Sequence, residues 1–376
     1  MGQKVPRMKP RVPAHIDSLI PYPPGKPLEE LEREYGIRDS IKLASNENPL
    51  GPSPKAVAAI QNALARLHRY PDGSGYYLRR KLSEKYQLDF DGIVLGNGSN
   101  EIIELVIRAF VSPGDEVVMP APSFLVYSLV VQTVGARGIP VPLEDFHIDL
   151  KAMAAAVTPR TRVIFVNNPN NPTGTIVRKP ELAAFLDNLP TDVIVVLDEA
   201  YIDFVRDKEC PNGFEEIQRA APSVVVLRTF SKAYGLAGVR IGYGVMPAQV
   251  ADYLNRVRQP FNTTTLSQVA AMAALDDDAF LAATQRNTWD GLAYLYAELG
   301  RLRLAYVPTQ TNFILIEVPL EARRLYEAML RRGVIIRSMA SYGLARHIRI
   351  NVGLPEENQR LVKTLEAALA ELVGGT

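Results

Sequence analysis

Cysteine, histidine and long apolar segments are scarce in this chain, and each scarcity excludes a class of protein. The single cysteine, Cys210, cannot form an intrachain disulfide, which excludes a disulfide-stapled fold and favours a reducing compartment. The four histidines are isolated from one another and give no ligand spacing, so we predict no metal site. No apolar run approaches the length that spans a bilayer, and we expect no membrane segment.

The chain also lacks an excess of charge of either sign. Its 42 Lys and Arg residues nearly balance 41 Asp and Glu residues, and the positive charges form no block. Nucleic-acid binding usually requires a concentrated positive surface, so nucleic acid is not an expected partner. The N-terminus is basic and proline-rich, but no apolar segment follows its charges as in a secretory signal. We therefore expect a cytoplasmic protein that acts on small molecules.

The sequence does contain the alternating pattern of an α/β protein. Its 376 residues, 47% of them hydrophobic, are enough for two domains. Short β-rich runs alternate with helical patterns, which predicts a mostly parallel sheet covered on both faces. The predicted strands are GIVLG, DEVVMP, TRVIFVNN, DVIVVLDEA, SVVVLRTF and RIGYGVM.

From about Leu275, longer helices and three further strands indicate a smaller α+β unit. We predict an N-terminal arm at 1–45, a large domain at 46–275 and a small domain at 276–376.

Three of the predicted strands end in unusual polar residues. These ends read VNNPNNPTG at 166–174, LDEAY at 197–201 and LRTFSKAYGLAGVR at 227–240. Singly, each has a simpler structural interpretation as a turn, the acidic start of a loop or a polar connection. Ligands of parallel sheets bind at the carboxyl ends of the strands, so the three segments are expected to meet at one site.

Together, the residues at these ends suit the chemistry of pyridoxal phosphate. Lys232 could form a Schiff base with an aldehyde cofactor if desolvation or neighbouring charge lowers its pKa. Asp198 beneath a pyridine ring would keep the ring nitrogen protonated, which makes the ring an electron sink. Tyr201 and Asn171 could hydrogen-bond the phenolic oxygen of the ring.

The segment GNGSNEIIEL at 96–105 adds a candidate phosphate site. A glycine-rich turn here leads into a helix, whose first amide groups and dipole attract anions. Ser231 and Arg240 could hold the same phosphate by a hydroxyl and by charge-assisted hydrogen bonds. A tight βα turn is the alternative interpretation. A dinucleotide fingerprint would need glycine where Glu101 stands, and neither a Walker A loop nor a G-x-S-x-G elbow is present.

Seven segments in this order resemble fold-type I pyridoxal-phosphate aminotransferases, specifically the histidinol-phosphate aminotransferase family. They are SNENPLGPSP, RYPDG, GNGSNEII, NPNNPTG, DEAY, RTFSKAYGLAGVRIGY and IRINVGLPEEN, and they run from the N-terminal arm to the last helix. The resemblance implies pyridoxal 5′-phosphate as cofactor and a homodimer with shared sites.

The resemblance also implies a role for each matching residue. Lys232 would bind the cofactor aldehyde, Asp198 the pyridine nitrogen, and Tyr201 with Asn171 the ring oxygen. The implied phosphate ligands are Ser99, Asn100, Thr229, Ser231 and Arg240, joined by Tyr70 of the neighbouring subunit. Phe124 stands where the family usually has the tyrosine of PTY, so stacking on the ring is kept and a hydroxyl is lost.

The prediction of an anionic substrate depends on two arginines. Arg349 in IRIN and Arg337 in IIRS resemble the arginines that hold the substrate's anionic groups, and Tyr22 in PYPPGK resembles the tyrosine that closes over it. Judged by their spacing alone, the two arginines could equally well form ordinary surface ion pairs in the small domain. Two guanidinium groups suit a phosphate dianion better than a single carboxylate requires.

The reaction implied is transamination of L-histidinol phosphate with 2-oxoglutarate, which yields imidazole-acetol phosphate and glutamate in histidine biosynthesis. An aromatic aminotransferase and a threonine-phosphate decarboxylase are the alternatives with the same cofactor lysine. A non-enzymatic protein of the same fold is a third alternative, which the full set of candidate catalytic residues disfavours.

Overall fold

The computed structural model describes residues 11–22, 25–219 and 221–374. Its β-strands are β1 (Ile41–Lys42), β2 (Ile93–Gly96), β3 (Glu116–Ala121), β4 (Arg137–Pro142), β5 (Thr161–Asn167), β6 (Ile194–Asp198), β7 (Ser223–Thr229), β8 (Gly242–Val245), β9 (Tyr306–Val307), β10 (Phe313–Glu317), β11 (Val334–Ile335), β12 (Arg337–Ser338) and β13 (His347–Asn351). Its α-helices are α1 (Ala14–Asp17), α2 (Leu28–Tyr35), α3 (Pro54–Ala63), α4 (Tyr76–Tyr86), α5 (Ser99–Phe110), α6 (Val126–Thr133), α7 (Leu150–Ala155), α8 (Lys179–Asp187), α9 (Ala248–Val257), α10 (Thr265–Ala274), α11 (Asp278–Arg301), α12 (Ala322–Leu330) and α13 (Pro355–Gly374).

A seven-stranded sheet in the order β2-β8-β7-β6-β5-β3-β4 is the centre of the molecule. Strands β4, β3, β5, β6 and β7 are parallel, while β8 runs antiparallel to both of its neighbours. The predicted α/β class and mostly parallel sheet are confirmed. All six predicted strands of this sheet form, but β4 did not appear in the prediction. It lies at the sheet edge, is largely exposed and contains Pro140 and Pro142, which edge strands tolerate.

The strands of this sheet are apolar at consecutive positions because helices cover both faces. In β5, Ile164 and Val166 pack in one core with Leu182 of α8, whereas Val163 and Phe165 pack in a second core on the opposite face. Each of these side chains is buried. A strand buried on both faces reads as a continuous apolar run, which is why its polar end is conspicuous in the sequence.

A separate core lies in the C-terminal part of the chain. There, β12-β13-β10-β9 form an antiparallel sheet, and buried side chains of α11, α12 and α13 pack against it. The N-terminal segment joins this unit, because Leu43 is buried in its core and β1 pairs in parallel with β11. The boundaries at residues 45 and 275 stay a prediction.

Candidate active site

The carboxyl ends of β5, β6 and β7 open into one cavity of about 410 Å³. Of the fourteen site residues predicted from the sequence, thirteen line it: Tyr22, Ser99, Asn100, Phe124, Asn171, Asp198, Tyr201, Thr229, Ser231, Lys232, Arg240, Arg337 and Arg349. The N-terminal segment supplies part of the wall through Ser45 and Asn46. Residues far apart in sequence thus meet where the large sheet faces the C-terminal unit.

Lys232 lies three residues beyond the end of β7, and its amine points into the cavity. The Nζ atom is 3.3 Å from the carbonyl oxygen of Ser45 and 5.7 Å from the centre of the Tyr201 ring. Burial, together with the positive charges of Arg349 and Arg240, lowers the pKa of this amine to about 8 against the opposing effect of Glu47 and Asp198. A substantial fraction of the amine is therefore neutral near neutral pH, as a nucleophilic lysine requires.

Asp198 is the last residue of β6 and is almost completely buried. Burial raises the pKa of its carboxyl to about 6, although two hydrogen bonds oppose this shift. The Tyr127 hydroxyl donates to Oδ2 across 2.8 Å, and the backbone N–H of Ala200 donates to Oδ1 across 3.2 Å. The carboxylate is thus held in place with its ionised form penalised, which suits it to receive a cationic partner.

Tyr201 and Asn171 each receive a hydrogen bond from another residue of the cavity wall. The Nδ2 group of Asn46 donates to the Tyr201 hydroxyl across 2.8 Å, and Arg349 donates from Nη1 to Oδ1 of Asn171. Burial raises the pKa of Tyr201, and Arg349 and the Asn46 hydrogen bond partly offset that effect. Because the Asn171 oxygen accepts from Arg349, its NH₂ group is left as a donor.

The start of α5 and the Arg240 guanidinium form an anion cradle. This 12-residue helix begins after Gly98 without a side-chain cap, so the cradle combines backbone N–H groups with a positive dipole end. Gly98 has φ 73°, and a Cβ there would lie 2.6 Å from Arg240 Nη2, so glycine is required. Arg240 donates to the Asn97 carbonyl across 3.1 Å, and its Nη1 lies 3.5 Å from Ser231 Oγ.

Arg337 and Arg349 converge because they are directly opposite one another on paired strands. The antiparallel register of β12 and β13 aligns the two residues, which puts their side chains on one face. Arg349 is buried, donates from Nη2 to the Ala44 carbonyl across 2.9 Å and lies 5.2 Å from the centre of the Phe313 ring. Arg337 lies 6.0 Å from the centre of the Tyr22 ring. Both arginines line the same cavity as Lys232.

Tyr70 is the one predicted site residue outside the cavity of this chain. It is 82% exposed and stacks on Phe261, with ring centres 4.8 Å apart. An exposed aromatic pair of this kind is typical of a protein interface.

Sequence reasoning missed two residues that contact the predicted ones. Tyr127 lies at the start of α6, three residues after Phe124, and the second aromatic residue in APSFLVY was the signal available in the sequence. Its ring stacks on Phe165 with centres 4.3 Å apart. Asn46 lies in SNENP, a segment that carried the family resemblance but received no role of its own.

The described part of the chain contains neither a metal-binding cluster nor a membrane-spanning helix. Among residues 11–22, 25–219 and 221–374, no group of three or more His, Cys, Asp or Glu residues could hold a metal ion. Within the same ranges, no helix has the length and apolarity needed to cross a bilayer.

Comparison with known proteins gives one consistent result. A family model described as aminotransferase class I and II matches residues 38–365. A histidinol-phosphate aminotransferase of Moorella thermoacetica is 46% identical over 94% of this chain and 92% of its own length, and one of Desulfotalea psychrophila is 48% identical over 98% of both. A crystal structure of histidinol-phosphate aminotransferase from Sinorhizobium meliloti in complex with pyridoxal-5′-phosphate has a TM-score of 0.89 at 28% identity, covering 97% of this chain and 99% of that one.

These matches extend over nearly the whole chain and agree with the fold and the cavity described above. The fold is that of fold-type I pyridoxal-phosphate aminotransferases, as predicted. The chain belongs to the class I and II aminotransferases and, within them, to the histidinol-phosphate aminotransferase family.

Proposed function

We propose that this chain is a pyridoxal-phosphate enzyme that transfers the amino group of L-histidinol phosphate to 2-oxoglutarate. The observation that carries this proposal is that two arginines paired across neighbouring strands, Arg337 and Arg349, line the same cavity as a buried lysine whose pKa is lowered to about 8. An amine-binding lysine serves transamination, and the arginine pair suits a substrate that bears a phosphate. Family membership at 46–48% identity supports the same activity.

The polar groups around the cavity match the chemical groups of pyridoxal 5′-phosphate. The capless start of α5, with Ser99 and Asn100, and the Arg240 guanidinium would hold the phosphate together with Thr229 and Ser231. The buried carboxylate of Asp198 would pair with the ring nitrogen, and Phe124 would stack on the ring face. When bound, this cofactor supplies an aldehyde that takes up amines and a ring that accepts the electron pair freed at the substrate's α-carbon.

Lys232 has two tasks in this proposal. Its neutral amine would hold the cofactor's aldehyde carbon, and after the substrate amine displaces it, the freed Nζ would accept the proton from the substrate's α-carbon. With a pKa of about 8, the amine can both lose and regain a proton near neutral pH. Asp198 would keep the ring nitrogen protonated, and a cation beside this carboxylate would in turn favour its ionised form.

The arginine pair would bind the substrate anions. The same cavity must accept an imidazole with a phosphate group in one half-reaction and a dicarboxylate in the other. Two guanidinium groups at the same end of the cavity can serve both anions, and Tyr22 would cover them from the N-terminal segment.

We also propose that the protein is a homodimer. Tyr70 would reach from one subunit to the cofactor phosphate of the other, which accounts for its exposure in the single chain and its absence from the cavity. Stacking on Phe261 would hold the tyrosine ring in a fixed position before the subunits meet.

We place the protein in the cytoplasm, since its single cysteine, Cys210, is a buried free thiol.

A panel of amino donors assayed with 2-oxoglutarate tests the reaction. We expect kcat/KM for L-histidinol phosphate to exceed that for L-histidinol and for L-phenylalanine by about 100-fold or more, because a phosphate paired with arginines is worth about 3 kcal/mol. Equal values for phenylalanine would favour an aromatic aminotransferase. Carbon dioxide release from threonine phosphate without an amino acceptor would indicate a decarboxylase instead.

A further inference from the structure

Asn46 occupies an unusual position in the wall of the cavity. It follows β1, is 1% exposed and adopts φ 55°, in the left-handed region that asparagine tolerates better than most residues. Its Nδ2 group donates to the Tyr201 hydroxyl across 2.8 Å. Its Oδ1 atom is buried and has no hydrogen-bond partner among the residues that the structure describes. A buried amide with one half unpaired costs stability, so a functional reason for it is expected.

The backbone of Asn46 is fixed by the C-terminal unit. Its N–H group donates to Oδ1 of Asn351, the last residue of β13, across 3.2 Å. Its carbonyl oxygen accepts from Nδ2 of Asn312, the residue before β10, also across 3.2 Å. Both partners are buried. The Asn46 side chain is therefore presented to Tyr201 from a fixed backbone, and Tyr201 belongs to the segment after β6 on the other side of the cavity.

The direction of this hydrogen bond determines what the Tyr201 hydroxyl can do. A phenol has one hydrogen to donate and accepts through its oxygen lone pairs. Because the Asn46 N–H group donates to the Tyr201 oxygen, the phenolic hydrogen is not used by Asn46. A rotated amide, with Oδ1 toward Tyr201, would accept that hydrogen and withdraw it from the cavity.

We infer that Asn46 is a positioning residue, which orients the Tyr201 hydroxyl so that its hydrogen is donated into the cavity, to the ring oxygen of the bound cofactor. This inference rests on the proposed function, because the acceptor is a cofactor atom. The residue acts through Tyr201 and not on the substrate. It also links the C-terminal unit to the cofactor, since Asn351 and Asn312 hold the Asn46 backbone.

Other charged and titratable groups around Tyr201 act on it electrostatically. Arg349 favours the ionised phenol, whereas Tyr342 and Asp198 oppose it, and the Lys232 amine lies 5.7 Å from the ring centre. Their effect is present whichever way the hydroxyl points. An effect that depends on both Asn46 and Tyr201 must therefore come from the hydrogen bond between them, and a double-mutant cycle isolates it.

The experiment uses Asn46→Asp and Asn46→Ala, each in the wild-type and in the Tyr201→Phe background. The readout is the pH midpoint of the visible absorption band of the bound cofactor. An aspartate can only accept, so it captures the Tyr201 hydrogen, and the ring oxygen loses a hydrogen bond to its charged form. We expect Asn46→Asp to raise the midpoint by about one pH unit and Asn46→Ala by a few tenths.

In the Tyr201→Phe background, the Asn46→Asp shift should fall by about half a pH unit or more, and the Asn46→Ala shift should vanish. Equal shifts in the two backgrounds, or no shift from either variant, would overturn the inference. Thermal unfolding of the cofactor-free variants serves as a second readout, because a purely structural role would lower the midpoint of unfolding without coupling to Tyr201. If the wild-type protein shows no visible band at all, the proposed function itself fails and the inference fails with it.

Discussion

Tyr127 donates a hydrogen bond from its hydroxyl to Asp198 Oδ2 across 2.8 Å, within the apolar layer between α6 and the central sheet. This bond stabilises the ionised carboxylate against burial, which alone would raise the pKa of Asp198 further. The tyrosine thus holds the carboxylate that faces the proposed cofactor ring, and its stacking on Phe165 fixes its own position.

Removing this hydroxyl should destabilise the cofactor-free protein in a pH-dependent way. For Tyr127→Phe we expect a loss of about 1–3 kcal/mol in the free energy of unfolding at pH 7.5 and a smaller loss at pH 5, because the bond favours the ionised carboxylate. Urea unfolding of the wild type and the variant at the two pH values measures this loss of stability. Tyr243→Phe is the matched control, since Tyr243 is also buried, but its hydroxyl contacts Tyr86 instead of Asp198. A loss from Tyr127→Phe that is equal at both pH values would contradict the expectation.

Asp198→Asn should stabilise the cofactor-free protein while abolishing transamination. The carboxyl has a pKa of about 6 in the folded protein and 3.8 as its ordinary value. The unfolded chain therefore ionises first, and the folded state is penalised increasingly as pH rises from 3.8 to 6, with the full penalty above that range. The difference corresponds to at most about 3 kcal/mol.

Urea unfolding of the cofactor-free wild type and Asp198→Asn tests this sign. We expect the variant to be more stable by about 1–3 kcal/mol at pH 7.5 and by about half as much at pH 5. A variant that is less stable at pH 7.5 would show that Asp198 contributes favourably to the fold and is not a strained functional group.

Arg337→Ala should weaken the binding of substrates that carry a phosphate. We expect its KM for L-histidinol phosphate to rise about 10- to 100-fold with the cofactor still bound, because a charge-assisted hydrogen bond to the anion is lost. The control is Arg346→Ala, which removes an exposed arginine paired with Glu317 in the same unit. Steady-state kinetics of both variants decide the matter, and an unchanged KM for Arg337→Ala would remove this residue from the substrate site.

Tyr70→Phe should lower cofactor affinity without dissociating the proposed homodimer. The phenyl ring keeps its stacking on Phe261, and only the hydroxyl that would reach the neighbouring phosphate is lost. We expect the cofactor dissociation constant to rise about tenfold. Analytical ultracentrifugation and cofactor titration measure the two properties, with Tyr77→Phe as the control for an exposed tyrosine in α4. A monomeric wild-type protein would refute the shared site.

The central sheet and part of the cavity wall were predictable because apolar strands end in polar residues there. Asp198 closes β6, and Lys232 follows β7, so both are visible where a continuous apolar run stops. The roles given to Ser99, Arg337 and Arg349 came from the family resemblance, and spacing alone left surface pairing open for the arginines. Only the structure shows that Arg337 and Arg349 are paired directly across the neighbouring strands β12 and β13.

The contacts of Tyr127 and Asn46 could not be read from the sequence. Tyr127 meets Asp198 across 71 positions of the chain, and Asn46 meets Asn351 across 305, so neither contact has a local pattern. Strand β4 was missed for a different reason, because an exposed edge strand with two prolines lacks the apolar run that identified its neighbours. Contacts between residues far apart in sequence, and the position of a strand at the edge of a sheet, are set only when the chain folds.

The most direct test of the proposed chemistry is borohydride reduction of the protein purified with its cofactor, followed by peptide mapping of the labelled residue. Reduction fixes the cofactor covalently to the amine that holds it. We predict a single label on Lys232, with loss of both the label and the visible absorption band in Lys232→Ala. A label on another lysine, or trapping that persists in Lys232→Ala, would contradict the assignment of this cavity as the aminotransferase active site.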